Sequence, residues 1–304
     1  MRYINFTAFD SNIKDANGKP VIEYIQSGVG LTEAEKTEAA RWLLSEVMNP
    51  ADRAIIEKII KEPVASPSAP GKAKGLTRAE SIYFYLKDKM RFDEKINDEV
   101  FYIMRRLKEI NPGDTYLEAY EGHLARNPFK FLDYYHILVE LGQEFRFNNV
   151  MEIGCRTGIS ICQLLYHQKI MSKRVVLFDL FNDAFVYPNL VRMNLKHLGI
   201  QKEPVFIAGD SKVTVPRFFQ DNPSEKMDYI LVDGDHSREG AMTDLLNVEP
   251  MLAEGGMIVF DDISTNAGEC GLIDVWNKFK QGREDKYFWL ESMIGKGFGI
   301  AIKK

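Results

Sequence analysis

The chain has 304 residues, enough for one large or two medium domains of roughly 100 to 200 residues each. Its composition, 45% hydrophobic and 27% charged, is that of a folded protein with a sizeable core. The formal net charge of −5 argues against a dedicated nucleic-acid binder, because a basic domain is the usual footprint of one.

Membrane and secretory signals are missing from the sequence. No apolar run reaches the roughly 18 residues of a membrane span, and residues 1–7 do not resemble a secretory signal. The three cysteines, Cys155, Cys162 and Cys270, form no Cys-x-x-Cys pair. We therefore expect a reduced, cytoplasmic protein without a membrane partner, and leave open whether identical chains associate.

The first 125 residues predict a mainly helical region. Residues 1–26 have the pattern of a β-hairpin around Asn17-Gly18, and helices are predicted for 31–47, with Thr32 as the N-cap, and for 51–61. Residues 62–75 contain three prolines and predict an exposed linker. Helical spacing of apolar residues then runs from 77 to 143, with breaks at 111–113 and 127–128.

From residue 126 onward the sequence predicts an α/β domain that reaches residue 304. Strands are predicted for 150–153, 174–179, 204–208, 228–233 and 257–261. Helices are predicted for 129–141, 159–168, 189–198, 213–219, 238–252 and 268–281, and a terminal hairpin for 287–293 and 298–302. Continuous apolar strands separated by helices indicate a parallel sheet that is covered on both faces.

The turn after the first of these strands predicts a nucleoside site. It reads Glu152-x-Gly154-x-x-x-Gly158, so the chain can turn tightly and approach a ligand closely at two glycines before a helix begins. Cys155 and Thr157 lie within this loop and are therefore predicted to belong to the same binding site. The pattern fits the dinucleotide fingerprint Gly-x-Gly-x-x-Gly poorly, which disfavours NAD.

Acidic residues follow the predicted strands at the edge where an open parallel sheet binds its ligand. Asp179 is placed to accept hydrogen bonds from the two ribose hydroxyls of an adenosine. Glu152, below the loop, is expected to orient backbone and water near the cofactor's amino group. The full set is Glu152, Asp179, Asp210, Asp233, Asp261 and Asp262.

The glycine loop resembles motif I of the class I S-adenosylmethionine-dependent methyltransferases. The resemblance covers roughly residues 149–304 and implies a Rossmann-like seven-stranded sheet with an antiparallel C-terminal hairpin. It also implies that Asp210 and Ser211 contact the adenine and that Asp233 contributes to the cofactor site. The segment Asp233-Gly234-Asp235-His236 and the pair Asp261-Asp262 resemble the small-molecule O-methyltransferases in particular.

That branch includes metal-dependent enzymes, and the resemblance implies an Mg²⁺ site formed by Asp233, Asp261 and Asp262, with Asp235 as the competing first ligand. Oxygen ligands with open positions suit Mg²⁺, which lowers the pKa of a bound hydroxyl. The alternative is that Asp261 and Asp262 cap a loop without a metal. His236 is the candidate general base, with Asp233 beside it, or else a hydrogen-bonded loop residue.

The function implied is methyl transfer from S-adenosylmethionine to an oxygen of a small molecule. Two alternatives stay open. One is N-methylation of an amine, a protein or RNA, although no Asn/Asp-Pro-Pro-Tyr/Phe segment occurs in the chain. The other is a non-catalytic or regulatory protein that retains the cofactor site.

Overall fold

The computed structural model describes residues 75–90, 93–114, 117–118, 133–168, 172–181, 186–264 and 271–304. All of these except Gly75 belong to one compact unit, Leu76–Lys304. The hairpin predicted for 1–26, the helices predicted for 31–61 and nearly all of the linker predicted for 62–75 lie outside the described residues. The predicted domain boundary at residues 125 and 126 does too, so these predictions are untested.

Within the described residues, seven strands form one mixed sheet. They are β1 (Asn149–Ile153), β2 (Arg174–Asp179), β3 (Val205–Ala208), β4 (Met227–Val232), β5 (Leu252–Asp261), β6 (Tyr287–Ser292) and β7 (Phe298–Lys303). Their order is β3-β2-β1-β4-β5-β7-β6, with β1 to β5 parallel and β7 antiparallel to both of its neighbours. The predicted fold class, a seven-stranded sheet with an antiparallel C-terminal hairpin, is confirmed.

Helices cover this sheet. Those with described bounds are α1 (Arg78–Lys89), α2 (Glu94–Ile110), α3 (Tyr134–Glu144), α4 (Ile159–His167), α5 (Val186–His197), α6 (Ser211–Asp221), α7 (Arg238–Val248) and α8 (Ile273–Lys280). Among them, none combines the length and the apolar character that a bilayer crossing requires.

The two faces of the sheet are covered by different helices. Met151 and Ile153 point to one face, where residues of α6, α7 and α8, including Trp276, join them in a buried core. Glu152 points to the opposite face, because side chains alternate along a strand. There its carboxylate accepts a hydrogen bond from Ser160 of α4. Helix α4 packs against α2, α3 and α5. The layers leave the carboxyl ends of β1, β2, β4 and β5 at one edge.

The segment before β5 differs from its prediction. The helix predicted to reach residue 252 ends at Val248, and a 3₁₀ turn (Glu249–Met251) containing Pro250 follows, because proline has no N–H to continue an α-helix. The strand begins at Leu252 instead of 257. Gly255, at φ +69°, allows the irregular register there, so the strand continues through a glycine pair that resembles a turn.

Two helices begin at positions other than predicted. α3 begins at Tyr134 instead of 129, because Asp133 is extended and its carboxylate accepts a hydrogen bond from the N–H of Tyr135 at 3.2 Å. α5 begins at Val186 instead of 189. Pro188 is tolerated in its first turn, where the missing N–H would have no intrahelical acceptor.

The remaining differences are smaller. α6 begins at Ser211 instead of 213, since Asp210 caps it, and α8 spans Ile273–Lys280 instead of 268–281. The helical stretch predicted for 77–143 has an additional break at Asp93, which caps α2. Local capping residues explain most of these boundaries.

Candidate active site

A tight loop joins β1 to α4 at the sheet edge. Gly154 has φ of +84°, and its N–H donates to the carbonyl of Phe178 at 2.8 Å. A Cβ on Gly154 would lie 1.9 Å from the carbonyl oxygen of Asp233, so the loop and the end of β4 leave no room for a side chain. Gly158, at φ +75°, caps α4. The first N–H groups of α4 have no intrahelical partner, which suits an anionic ligand group.

Asp179 ends β2 beside this loop. Its Oδ2 accepts a hydrogen bond from the N–H of Arg156 at 2.8 Å, and its Oδ1 accepts one from the N–H of Phe181 at 3.0 Å. Each carboxylate oxygen keeps a second lone pair, so the side chain can still accept bonds from a diol. The structure places Asp179 at the loop, and its contact with a ribose stays a prediction.

Glu152 lies below the loop and is buried. Its Oε1 accepts a hydrogen bond from the hydroxyl of Ser160. Burial raises the pKa of Glu152 to about 8, although the bond from Ser160 opposes the shift. The side chain therefore holds a proton in the folded chain near neutral pH, and it braces the strand against α4.

A side chain of α5 holds the backbone of the loop, and the residue that follows α2 supports that side chain; sequence reasoning missed both. The carbonyl of Thr157 accepts a hydrogen bond from Asn194 Nδ2 at 2.8 Å, and Asn194 Oδ1 accepts one from Asn111 Nδ2 at 2.8 Å. The hydroxyl of Thr157 lies 3.5 Å from Asp114 Oδ2. Cys155 is buried, which raises the pKa of its thiol, so this residue contributes backbone to the loop and no thiolate.

Asp210 and Ser211 start α6, and Asp210 Oδ1 accepts a hydrogen bond from the N–H of Lys212 at 2.9 Å. The ammonium of Lys212 lies 3.1 Å from Asp235 Oδ2 and 3.7 Å from Asp210 Oδ2. Asp235 also accepts a bond from the N–H of Ser237 at 2.8 Å, which lowers its pKa. Asp235 thus pairs with α6 and the start of α7. Adenine contact by Asp210 and Ser211 stays a prediction.

Asp233, His236 and Asp262 meet where β4 and β5 end. His236 Nε2 lies 3.3 Å from Asp233 Oδ1 and 3.4 Å from Asp262 Oδ2. The hydrogen bond to Asp233 raises the pKa of His236. Asp262 is 1% exposed and has φ of +58°, a left-handed conformation that L-residues rarely adopt. This strained backbone follows β5 directly and delivers the carboxylate to the cluster.

Asp261 lies beside this cluster without joining it. Three side chains of the described residues place potential metal ligands within 4.8 Å of one another, and these are Asp233, His236 and Asp262. Asp261 is 5% exposed, and burial together with the neighbouring carboxylates, Asp233 first, raises its pKa. Of the predicted metal set, the structure therefore brings Asp233 and Asp262 together and adds the histidine.

Three further residues contact or surround the cluster, and none was predicted. The hydroxyl of Tyr134 donates to Asp233 Oδ2 at 3.2 Å, and Asp133 is buried beside it, which raises its pKa to about 7. The ammonium of Lys296 lies 3.2 Å from Asp262 Oδ1. Tyr134 and Asp133 belong to the start of α3. Lys296 belongs to the turn between β6 and β7, which the glycines on either side indicated only as a turn.

The donor chemistry of the cluster fits a divalent cation. Two carboxylates and one imidazole would hold it through Asp233, Asp262 and His236, with Asp261 close by. Because one donor is nitrogen, the set suits Mn²⁺ or another transition metal better than Mg²⁺, which prefers oxygen. A cation there would lower the pKa of a bound hydroxyl. Occupancy by Mg²⁺ stays a prediction.

Known proteins that are similar to the chain include methyltransferases. Residues 151–263 match a family model described as a methyltransferase domain. Solved structures similar to the chain include an O-methyltransferase from Bacillus cereus in complex with SAH, with 15% identity and a TM-score of 0.47 over 74% of this chain and 97% of that one. A SAH-bound methyltransferase from Podospora anserina has 13% identity and a TM-score of 0.46 over 75% and 98% of the two chains. Among curated protein sequences, none matches.

The resemblance to the class I S-adenosylmethionine-dependent methyltransferases is thereby confirmed. The matched residues begin in β1 and end just after β5, so they include the glycine loop and the acids at the strand ends. Residues 151–263 are therefore similar to a methyltransferase domain, and they span β1 to β5 of the sheet described above.

Proposed function

We propose that the methyltransferase domain binds S-adenosylmethionine at the glycine loop and transfers its methyl group to an oxygen of a small molecule. The proximity of two features carries the proposal. The space beside Gly154 is closed by the backbone of Asp233, the same residue whose carboxylate contacts His236. A donor held at the loop therefore lies next to a side chain that can accept a proton.

The donor contacts follow from the loop and the strand ends. The carboxylate of Asp179 accepts hydrogen bonds from the ribose hydroxyls, beyond the backbone bonds that already orient it. The free N–H groups at the start of α4 receive the carboxylate of the methionine part. Asn194 and Asn111 keep the loop in place through the carbonyl of Thr157. When bound, S-adenosylmethionine supplies a methyl group on a positively charged sulfur.

The side chains at the ends of β4 and β5 favour an acceptor that must lose a proton. A hydroxyl attacks well only after deprotonation, whereas a neutral amine attacks with its own lone pair. The neutral imidazole of His236 accepts the hydroxyl proton on its unprotonated nitrogen as the O–C bond forms and the S–C bond breaks. Asp233, 3.3 Å away, stabilises the resulting imidazolium, and the raised pKa of His236 is consistent with that pairing. Positioning of the oxygen against the methyl group supplies much of the remaining acceleration.

The roles of His236 as base and as metal ligand exclude each other in one turnover, because a neutral imidazole has one nitrogen lone pair, which takes either a proton or a cation. We propose the base role. Asp233 and Asp262 then supply negative charge beside the imidazolium.

The test uses methyl-labelled S-adenosylmethionine with a set of small hydroxyl compounds, each paired with its amine counterpart. The expected result is a labelled methyl ether, with a rate at least roughly a hundredfold lower in His236→Gln. His197→Gln is the matched control, because His197 pairs with Glu109 on α2 and lies outside the cluster. Label on nitrogen, or no transfer by a chain that binds S-adenosylhomocysteine, would overturn the proposal.

A further inference from the structure

The turn between β6 and β7 is fixed to the end of β5 and carries one lysine. The N–H of Ser264 donates to the carbonyl of Lys296 at 2.7 Å, and the N–H of Ile263 donates to the carbonyl of Gly297 at 3.2 Å. A Cβ on Gly297 would lie 2.7 Å from Ser264 Cβ, so the turn lies directly against the residues that follow Asp262. The backbone of Lys296 is therefore held in place, and its flexible side chain supplies the freedom to move.

Carboxyl groups outnumber basic groups at the cluster. Asp133, Asp233, Asp261 and Asp262 supply four carboxyl groups, and all but Asp233 are less than a tenth exposed. In the described part of the chain, the ion pair between Asp262 and a lysine or arginine is the one made by Lys296. An ionised carboxylate that is almost fully buried requires a counter-charge. The Lys296 ammonium provides it at Asp262 Oδ1, whereas His236 lies beside Oδ2.

We infer that Lys296 is the built-in counter-ion of this cluster and that it weakens the binding of divalent cations to Asp233, His236 and Asp262. The inference deepens the proposed function and rests on it in one respect, that the cluster faces the acceptor. It gives the site a resident positive charge, so His236 keeps its lone pair for the acceptor proton.

Electrostatic repulsion explains the effect. The ammonium of Lys296 lies 3.2 Å from Asp262 Oδ1. A cation on Asp262 Oδ2 would therefore share one carboxylate group with this ammonium. Two positive charges at such a separation repel strongly in a partly buried site, where the effective dielectric constant is about 20. Entry of the cation is therefore disfavoured while the ammonium stays in place. The side chain of Lys296 is 46% exposed, so its ammonium can move into solvent, at the cost of leaving Asp262 unpaired until the cation arrives.

Calorimetric titration of Mn²⁺ into the full chain tests this inference. Lys296→Met is expected to bind Mn²⁺ roughly tenfold more tightly than the wild type. The expected gain is smaller than unscreened repulsion between the two cations would give, because solvent screens the half-exposed lysine. Lys296→Arg keeps the charge and is expected to bind as the wild type does. Lys280→Met, which removes an ion pair between Lys280 at the end of α8 and Glu291 of β6, is the matched control and should leave the affinity unchanged. Asp262→Asn in the Lys296→Met background should abolish the gain.

Equal or weaker Mn²⁺ binding by Lys296→Met, or no binding by any variant, would overturn the inference. Circular dichroism of each preparation verifies that the variant is folded, and titration of S-adenosylhomocysteine into the same preparations judges the proposed function separately. If Lys296→Met binds Mn²⁺ more tightly but S-adenosylhomocysteine does not bind, the counter-ion role is supported and the proposed function is wrong. If S-adenosylhomocysteine binds and Lys296→Met shows no gain in Mn²⁺ affinity, only the counter-ion role is wrong.

Discussion

Substitution of Gly154 by alanine tests how closely the glycine loop approaches β4. The residue adopts φ of +84°, and a Cβ would lie 1.9 Å from the carbonyl oxygen of Asp233 and 2.9 Å from Gly234 Cα. The left-handed conformation costs an alanine about 1–2 kcal/mol. Because the obstructing atoms belong to the backbone, the ends of β1 and β4 must also separate, and such overpacking costs about 1–3 kcal/mol more.

Gly282→Ala is the matched control. Gly282 has φ of +73°, and a Cβ there would meet nothing within 4 Å, so this variant carries the conformational cost alone. Urea unfolding should show that Gly154→Ala is the less stable variant by about 1–3 kcal/mol. Calorimetry should show S-adenosylhomocysteine binding at least roughly tenfold weaker in Gly154→Ala and unchanged in Gly282→Ala. Equal losses of stability in the two variants, or wild-type binding by Gly154→Ala, would refute the reasoning.

Two further predictions concern residues that brace the loop. Burial raises the pKa of Glu152 from 4.5 to about 8, so the folded chain holds a proton that the unfolded chain releases, and stability falls as pH rises across that range. Urea unfolding at the two ends of the range should show a smaller fall for Glu152→Gln, and an unchanged fall would contradict the assignment. Asn194→Leu removes the bond to Thr157 and should weaken S-adenosylhomocysteine binding about tenfold. Asn222→Leu, at the end of α6, should leave binding unchanged, and equal effects would argue against a role in positioning.

The sequence predicted the sheet well because each strand is a short apolar run between helical segments. β2 has its predicted bounds, and the strand ends that carry Asp179 and Asp233 are within one residue of prediction. These features depend on local patterns, which a single sequence contains. The predicted start of β5 was wrong because Gly255-Gly256 resembles a turn. The strand extends back to Leu252 because that residue pairs with Met227 of β4.

The members of the cluster were harder to predict. Lys296 reaches Asp262 because an antiparallel hairpin folds back beside β5, and Tyr134 reaches Asp233 across 99 residues of chain. Neither contact leaves a local sequence pattern. Asp235 was a plausible ligand from its spacing, but its side chain accepts a hydrogen bond from the N–H of Ser237, the N-cap of α7, and pairs with Lys212. Side-chain direction at the strand ends depends on loop conformation, which the motif does not specify.

The central claim is that the glycine loop and the acids beside it bind a methyl donor. Calorimetric titration of S-adenosylhomocysteine into the full chain, with NAD⁺ titrated in parallel, tests that claim most directly. Our account predicts saturable binding of one S-adenosylhomocysteine per chain and no binding of NAD⁺, because the loop lacks the third glycine of a dinucleotide site. Binding of NAD⁺ in preference to S-adenosylhomocysteine, or binding of neither, would contradict it.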